Sequence, residues 1–435
     1  ACLEICFFDF SADCYRKVQL AEKEREMKLT EETPFFFIYS VWTKNGEYRE
    51  QVKRLVTDYD NYISLKLAGD DAYLSEKMVG YPAELDEVYA ESFEEQKKEW
   101  FSCVGDGIQE CRNTWEHKKW NITDLPEFEL AITIDRPELY YDFLQKDWTR
   151  FCHDYWKNNF LEHHTLSKKR VTRIYIGNQF CHNLFPRKEL LFQVLEKALE
   201  NNLAVTLAFT YIRDHLLEEI DELLQELEVW CQGKEQEVSK QQVATKEQKG
   251  SRKQPAMEII VNDWAMPILL QGKPHLKPVL GVLLNKRRKD VRLPYKHGIG
   301  NHVDSLAENN LNCGFYQDYL KNTFDIQRFE FESCGYKVTI PDGHHSLHLP
   351  FFQTNTSQYC TLYAVCRYGD RGKQKLPENC PKYCEQKVFL YPKHLKMVGR
   401  YNSLFGYDGK ILWDEKQLRD YLEQGIDRIV VNVSL

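Results

Sequence analysis

The feature that most constrains the fold is an alternation of short apolar runs with helical patterns from residue 166 onward. The apolar runs are rich in β-branched residues, as strands are when helices cover both faces of a parallel sheet. Such alternation is typical of (β/α) barrels, so we expect an α/β fold with a TIM-like barrel. The strand candidates are 203–211, 257–263, 278–284, 326–332 and 427–435, and the helix candidates are 187–202 and 215–230.

The residues before this alternation differ in composition. They are dense in Glu, Lys and aromatic side chains, with strand candidates at 33–42 and 128–134. Because 435 residues exceed one ordinary core, we expect a separate N-terminal α+β domain over 1–165 and the barrel over 166–435. Within the barrel, the polar segment 232–255 predicts a flexible loop.

Charge and hydropathy narrow the class of protein. The formal net charge of −8 argues against broad binding to nucleic-acid phosphates, including DNA. No window approaches the roughly 18 apolar residues of a membrane span. The opening "ACLEICFFDFSADC" has no basic region of a signal peptide. We therefore expect a cytoplasmic protein, in which the 14 cysteines are buried hydrophobes, metal ligands or reactive thiols rather than disulfides.

One polar segment, "CTLYAVCRYGDRGKQKLPENCPKYC", concentrates four cysteines. Cys380 and Cys384 form a CxxxC pair, and Cys360 and Cys366 precede it. A fourth ligand must come from elsewhere, and Cys181 directly follows the strand candidate "VTRIYIG". In a (β/α) barrel the carboxyl ends of the strands carry the active-site groups.

Two metal centres suit such a thiol set. Structural zinc commonly takes two short cysteine pairs, and only one such pair is present here. One distal cysteine with a C-terminal trio fits a four-thiolate iron–sulfur cluster better. Zinc stays open as the alternative.

Several short motifs together resemble the peptidase U32 (collagenase-like) family. They are "RIYIGNQFC", "EIIVNDWAMPILL", "LGVLLNKRRKDVR", "SLHLPFFQTNTSQYC" and "CPKYC". They are most similar to the divergent branch that acts in oxygen-independent hydroxylation, which includes anaerobic ubiquinone-biosynthesis and RNA-hydroxylation members. The resemblance covers residues 170–435.

The resemblance implies a barrel of the U32 type and a 4Fe-4S cluster. Family members place one cysteine after the first barrel strand and three near the late strands. These positions match Cys181, Cys360, Cys380 and Cys384, with Cys366 as a competitor of Cys360. The resemblance further implies an anaerobic enzyme or enzyme subunit that modifies a small molecule or RNA, and a second U32-family subunit or other protein as partner.

Candidate catalytic residues follow the strand at 257–263. Asn262, Asp263 and Trp264 are expected to face the same barrel mouth as the cysteines, where Asp263 would orient a substrate and Trp264 would form an aromatic wall. Capping of the following helix is the competing role for Asp263. Ala265 stands where the family usually has Gly, which removes the freedom for close backbone approach at this turn.

Other functions have weaker sequence support. A peptidase or peptide-modifying enzyme is the first alternative, although GxSxG and HExxH motifs are absent. A non-catalytic partner with a structural cluster or zinc is the second. His344, His345 and His348 offer a metal site or a solvated loop, and "NKRRKD" at 285–290 offers an RNA-binding patch or a solvated helix start.

Overall fold

The computed structural model describes residues 2–9, 14–32, 37–53, 91–102, 121–245, 257–287, 289, 307–373, 375–377, 379–391 and 396–435. The chain divides into two compact units. The first comprises Ala1–Glu87 with Tyr391–Lys396, and the second comprises Val88–Leu390 with Met397–Leu435.

The first unit contains two antiparallel strand pairs. Strand β1 (Cys2–Asp9) pairs with β2 (Cys14–Ala21), and β3 (Arg25–Glu32) pairs with β4 (Phe37–Thr43). Residues 46–53 are helical. The strand expected at 33–42 is therefore present from Phe37 onward, in β4.

The second unit is built on eight parallel strands. They are β5 (Glu129–Ile134), β6 (Arg173–Gly177), β7 (Ala204–Ala208), β8 (Met257–Val261), β9 (Leu276–Leu280), β10 (Glu330–Glu332), β11 (His345–Leu349) and β16 (Ile426–Val431). The helices are α1 (Glu91–Ser102), α2 (Pro137–Gln145), α3 (Trp148–Asn158), α4 (Lys188–Glu200), α5 (Leu217–Thr245), α6 (Met266–Leu269), α7 (Gly314–Phe324), α8 (Thr361–Tyr368) and α9 (Glu415–Glu423).

These strands form a nearly closed barrel-like sheet. Their spatial order is β10-β11-β16-β5-β6-β7-β8-β9, so the strands follow chain order around the sheet. The two ends approach at a parallel bridge between Leu280 and Phe329, where the Leu280 amide donates to the Arg328 carbonyl at 3.0 Å. The protein thus has the α/β fold that the alternation of strands and helices predicted, in a form consistent with a TIM-like barrel.

The expected domain boundary near residue 165 is wrong. Strand β5, at 129–134, pairs in parallel with both β16 and β6 and is the first strand of the barrel. Two helices, α2 and α3, separate β5 from β6. This longer connection, in an aromatic-rich segment, concealed the strand's place in the barrel.

A smaller antiparallel sheet is inserted between β11 and β16. It contains β12 (Phe351–Thr356), β13 (Phe389–Leu390), β14 (Met397–Arg400) and β15 (Ser403–Tyr407) in the order β12-β15-β14-β13. The cysteine-rich segment lies between β12 and β13. The insertion therefore starts at the carboxyl end of β11, on the mouth side of the barrel.

The flexible loop predicted at 232–255 is wrong for residues 232–245, because these residues continue helix α5. The segment is rich in Glu, Gln and Lys, which are strong helix formers even without an apolar face. The remainder, 246–255, lies outside the described residues. In the part of the chain that the structure describes, no helix is both long and apolar enough to cross a membrane.

The barrel interior combines an apolar layer with a buried ion network. The apolar cluster is Ala131, Tyr175, Ala208, Ile260, Val279 and Val430. Beside it, Arg428 donates to Glu129 at 2.6 Å and to both Glu258 oxygens at 2.7 and 2.9 Å. Burial alone would raise the pKa of Glu258, but the guanidiniums of Arg428 and Arg173 outweigh it and lower the pKa to about 2.

A candidate cysteine site at the barrel mouth

Cys181 is positioned by the turn that follows β6. The Asn178 side-chain oxygen accepts hydrogen bonds from the amides of Phe180 and Cys181, both at 2.9 Å. Such a side-chain bond to the following backbone fixes a tight turn. The turn holds Cys181 at the carboxyl end of a barrel strand, as predicted, but β6 is the second strand of the barrel rather than the first.

The other three cysteines come from the inserted segment. The Cys360 thiol caps helix α8, where it accepts from the Tyr363 amide at 3.3 Å and donates to the Tyr401 carbonyl at 3.0 Å. Between Cys380 and Cys384, Lys382 adopts the left-handed conformation with φ of 54°, which turns the chain sharply.

Cys181, Cys360, Cys380 and Cys384 all line one cavity. The competitor Cys366 is on helix α8 but does not line this cavity. The surrounding walls are largely aromatic, from Phe180, Tyr211, Tyr359, Tyr363, Tyr383 and Tyr401. The structure thus brings together the four cysteines that the sequence selected.

These thiols are protonated at neutral pH when nothing offsets their burial. Burial raises the pKa of Cys181 to about 11 and that of Cys360 to about 12. It also raises the pKa of Cys380 and Cys384, and the negative charges of the other three cysteines raise that of Cys384 further. Four thiolates in one cavity therefore need a positively charged centre, as metal binding provides.

The thiols surround a void rather than a point. Among the described residues, no three His, Cys, Asp or Glu side chains are grouped so that they could hold one metal ion. A single zinc ion draws its sulfurs to about 2.3 Å from one centre. The described side-chain positions therefore do not form a ready site for one zinc ion.

The predicted catalytic trio is not brought into this cavity. The Asn262 side chain is buried among loops, donating to the Phe209 carbonyl at 2.7 Å and accepting from the Leu283 amide at 3.1 Å. Trp264 is 41% exposed and packs near Phe324 with ring centroids 6.0 Å apart. None of the three lines the cysteine cavity. The expectation that they face the cysteines at the barrel mouth therefore lacks geometric support.

Asp263 instead serves the backbone. Its Oδ1 accepts from the amides of Ala265 and Met266, each at 3.0 Å, and its Oδ2 accepts from the Ile212 amide. The competing role, satisfying amides at the start of helix α6, accounts for the contacts with Ala265 and Met266. The Ile212 contact joins Asp263 to the segment that follows β7.

We expect Asp263→Ala to lower the free energy of unfolding by about 1 kcal/mol, because the amides of Ala265, Met266 and Ile212 lose their acceptor. Chemical denaturation measures this, with exposed Asp318→Ala on α7 as the control. Metal content should be unchanged in both variants. A fall in metal content at unchanged stability would instead place Asp263 in the site.

A second cavity occupies the barrel mouth and was not predicted from the sequence. Its lining includes Asp135, Glu332 and His348 from the ends of β5, β10 and β11. Phe180 and Tyr401 line both cavities, so the two are adjacent. Asp135 could have been found, since it follows the apolar run 128–134. That run had been placed outside the barrel.

Residues of the basic and histidine motifs make contacts within the barrel. Arg287 donates to the Glu332 carbonyl, and the buried Lys289 ammonium contacts the Glu332 carboxylate. His348 pairs with the buried carboxylate of Glu330. Both interpretations of 285–290, a phosphate-binding patch and a solvated helix start, are therefore wrong for Arg287 and Lys289.

The three histidines of the 344–348 motif have separate partners. His345 is buried and stacks on Phe329 with ring centroids 4.7 Å apart, whereas exposed His344 contacts Asp427 at 3.0 Å. Burial lowers the pKa of His182, beside Cys181, to about 4, and the charges of Arg213 and His215 lower it as well. The neutral His182 ring therefore provides no cation to activate the neighbouring thiol.

Comparison with known proteins adds no relative, since no protein-family profile, curated protein or solved structure matches the chain.

Proposed function

We propose that this protein is an iron–sulfur enzyme, or enzyme subunit, of the U32 type that acts in oxygen-independent hydroxylation. Cys181, Cys360, Cys380 and Cys384 would hold a 4Fe-4S cluster. The observation that carries the proposal is that these four thiols, drawn from two distant parts of the chain, line one cavity. Cys366, the competitor that spacing alone left open, stays outside it.

The cysteine pattern favours a cluster over zinc, because one distal cysteine with a C-terminal trio is less typical of structural zinc than two short pairs. The four proposed ligands are all thiols, which select soft metal centres, and they line one cavity. Six Phe and Tyr side chains line the cavity, and exposure to solvent is among the factors that set a cluster's reduction potential. When bound, such a cluster supplies one-electron chemistry.

The chain's own residues supply the place for a substrate. The barrel-mouth cavity lies directly beside the cysteine cavity, with Phe180 and Tyr401 as common walls. A substrate in the barrel-mouth cavity would thus be separated from the cysteine cavity by the side chains of Phe180 and Tyr401. A small molecule is favoured over RNA, because Arg287 and Lys289 contact Glu332 rather than forming an external basic patch.

The peptidase alternative gains no support from the described residues. A cysteine nucleophile must be a thiolate at working pH. Burial instead raises the pKa of Cys181 to about 11, and His182 beside it is neutral at pH 7.

Isolation of the protein without oxygen tests the proposal. We expect a brown protein with broad visible absorbance that bleaches on reduction, and no hydrolysis of casein. A colourless protein that binds zinc would contradict the cluster, and casein hydrolysis that survives removal of iron would favour the peptidase.

A further inference from the structure

Two buried polar atoms in the barrel-mouth cavity lack a partner. Among the described residues, nothing hydrogen-bonds to the Asp135 Oδ1 or to the Tyr401 hydroxyl. Both residues line the cavity, and Tyr401 is only 2% exposed. Buried polar atoms are nearly always paired in folded proteins, so this pair calls for an explanation.

The other polar side chains of the cavity are satisfied. The Tyr175 hydroxyl donates to Glu330 at 3.0 Å, and the Asn432 side chain exchanges hydrogen bonds with the Phe351 backbone at 3.0 and 2.8 Å. Glu332 accepts from the Gln353 amide at 2.7 Å and contacts Lys289. The cavity therefore offers a ligand one unpaired acceptor, the Asp135 Oδ1, and one unpaired donor, the Tyr401 hydroxyl.

These two groups lie near each other. Asp135 is close enough for its charge to act on the Tyr401 hydroxyl, and a phenolic hydroxyl can donate where a carboxylate oxygen accepts. Although burial opposes it, the charge of Asp135 also raises the pKa of Arg136. Because Arg136 already offers a positive charge, the Asp135 carboxylate does not require a cationic ligand.

We infer that the barrel-mouth cavity binds a neutral planar ring carrying a hydrogen-bond donor beside an acceptor. The donor would pair with Asp135 and the acceptor with the Tyr401 hydroxyl. The rings of Tyr175, Phe180 and Tyr401 line the cavity with apolar Ala208 and Val282, and aromatic walls favour a flat ligand. Calling this ring the substrate rests on the proposed function, but its binding does not need the cluster.

The probe is 2-pyridone, whose ring N–H adjoins a carbonyl, and N-methyl-2-pyridone is the matched compound without the donor. Ligand-detected NMR should show millimolar binding of 2-pyridone and weaker binding of the methylated compound by roughly fivefold to tenfold. Tyr401→Phe and Asp135→Ala should each weaken 2-pyridone binding by a similar factor. Exposed Tyr319→Phe and Asp318→Ala on α7 are the controls.

Both the metal-free and the iron-loaded protein are measured, with the melting temperature of every variant. Tyr401→Phe keeps the ring, so it tests the hydroxyl even if Asp135→Ala fails to fold. Equal binding of the two compounds, unchanged binding in Tyr401→Phe, or no binding at about 20 mM 2-pyridone would overturn the inference. A protein that holds no iron but binds 2-pyridone in this pattern would overturn the cluster alone.

Discussion

The Cys384→Ser variant, isolated without oxygen, should lose nearly all of the iron and sulfide that the unaltered protein holds. Cys384 is the most deeply buried thiol of the cavity, 7% exposed, and Arg400 fixes its backbone by donating to the Cys384 carbonyl at 2.9 Å. Loss of an outer-shell partner alone costs a metal site about 10–100-fold in affinity. Loss of a ligand should lower bound iron at least as strongly.

Cys366→Ser is the matched control, because Cys366 belongs to the same inserted segment but does not line the cavity. It should keep the iron and sulfide of the unaltered protein. If Cys366→Ser loses the metal and Cys384→Ser keeps it, the ligand assignment is wrong. Circular dichroism of both variants separates loss of a ligand from loss of the fold.

The Arg428→Met variant should lose about 3–5 kcal/mol of unfolding free energy at pH 7, since removal of one partner leaves buried charges uncompensated. Arg428 is 2% exposed and contacts both Glu258 and Glu129. Arg173 would then remain at 3.2 Å from Glu258 and 3.0 Å from Glu129, with Arg328 farther from Glu258 at 3.8 Å. Urea unfolding measures the loss.

The loss should shrink in acid. The pKa of Glu258 is depressed to about 2 in the fold, so its charge stabilises the protein above its unfolded pKa of about 4.3. That stabilisation disappears as the pH falls toward 2.

Arg419→Met is the control for an ion pair of the same kind at the surface. Arg419 contacts Glu415 at 2.6 Å on α9 with both side chains about one-third exposed. Such pairs contribute about 0.3–0.5 kcal/mol. If Arg428→Met costs no more than Arg419→Met, the buried network does not hold the barrel together.

Most strands of the barrel could be predicted because they are short apolar runs, which sequence alone displays. Strand β11, with the sequence HSLHL, is not such a run and was not among the strand candidates. Strand β5 was found as a strand but assigned to the wrong domain. Its partners β16 and β6 lie almost 300 and about 40 residues away in the chain, and pairing at such separations leaves no local signal. Helix α5 was cut short because a polar helix lacks an apolar period.

Some residues of the candidate site could be predicted from the sequence and others could not. Cys181 carried a signal, a cysteine directly after a strand, and the CxxxC pair carried another. The choice between Cys360 and Cys366 depends on which side of α8 faces the cavity, which spacing to Cys380 does not decide. Tyr401 had no signal at all, because only the folded insertion brings it between the two cavities.

The most direct test of the central claim is the iron, sulfide and zinc content of the unaltered protein after anaerobic reconstitution. A 4Fe-4S cluster contains four iron and four sulfide ions, so we expect about four of each per chain, with negligible zinc. One zinc ion per chain, or iron without sulfide, would contradict the account.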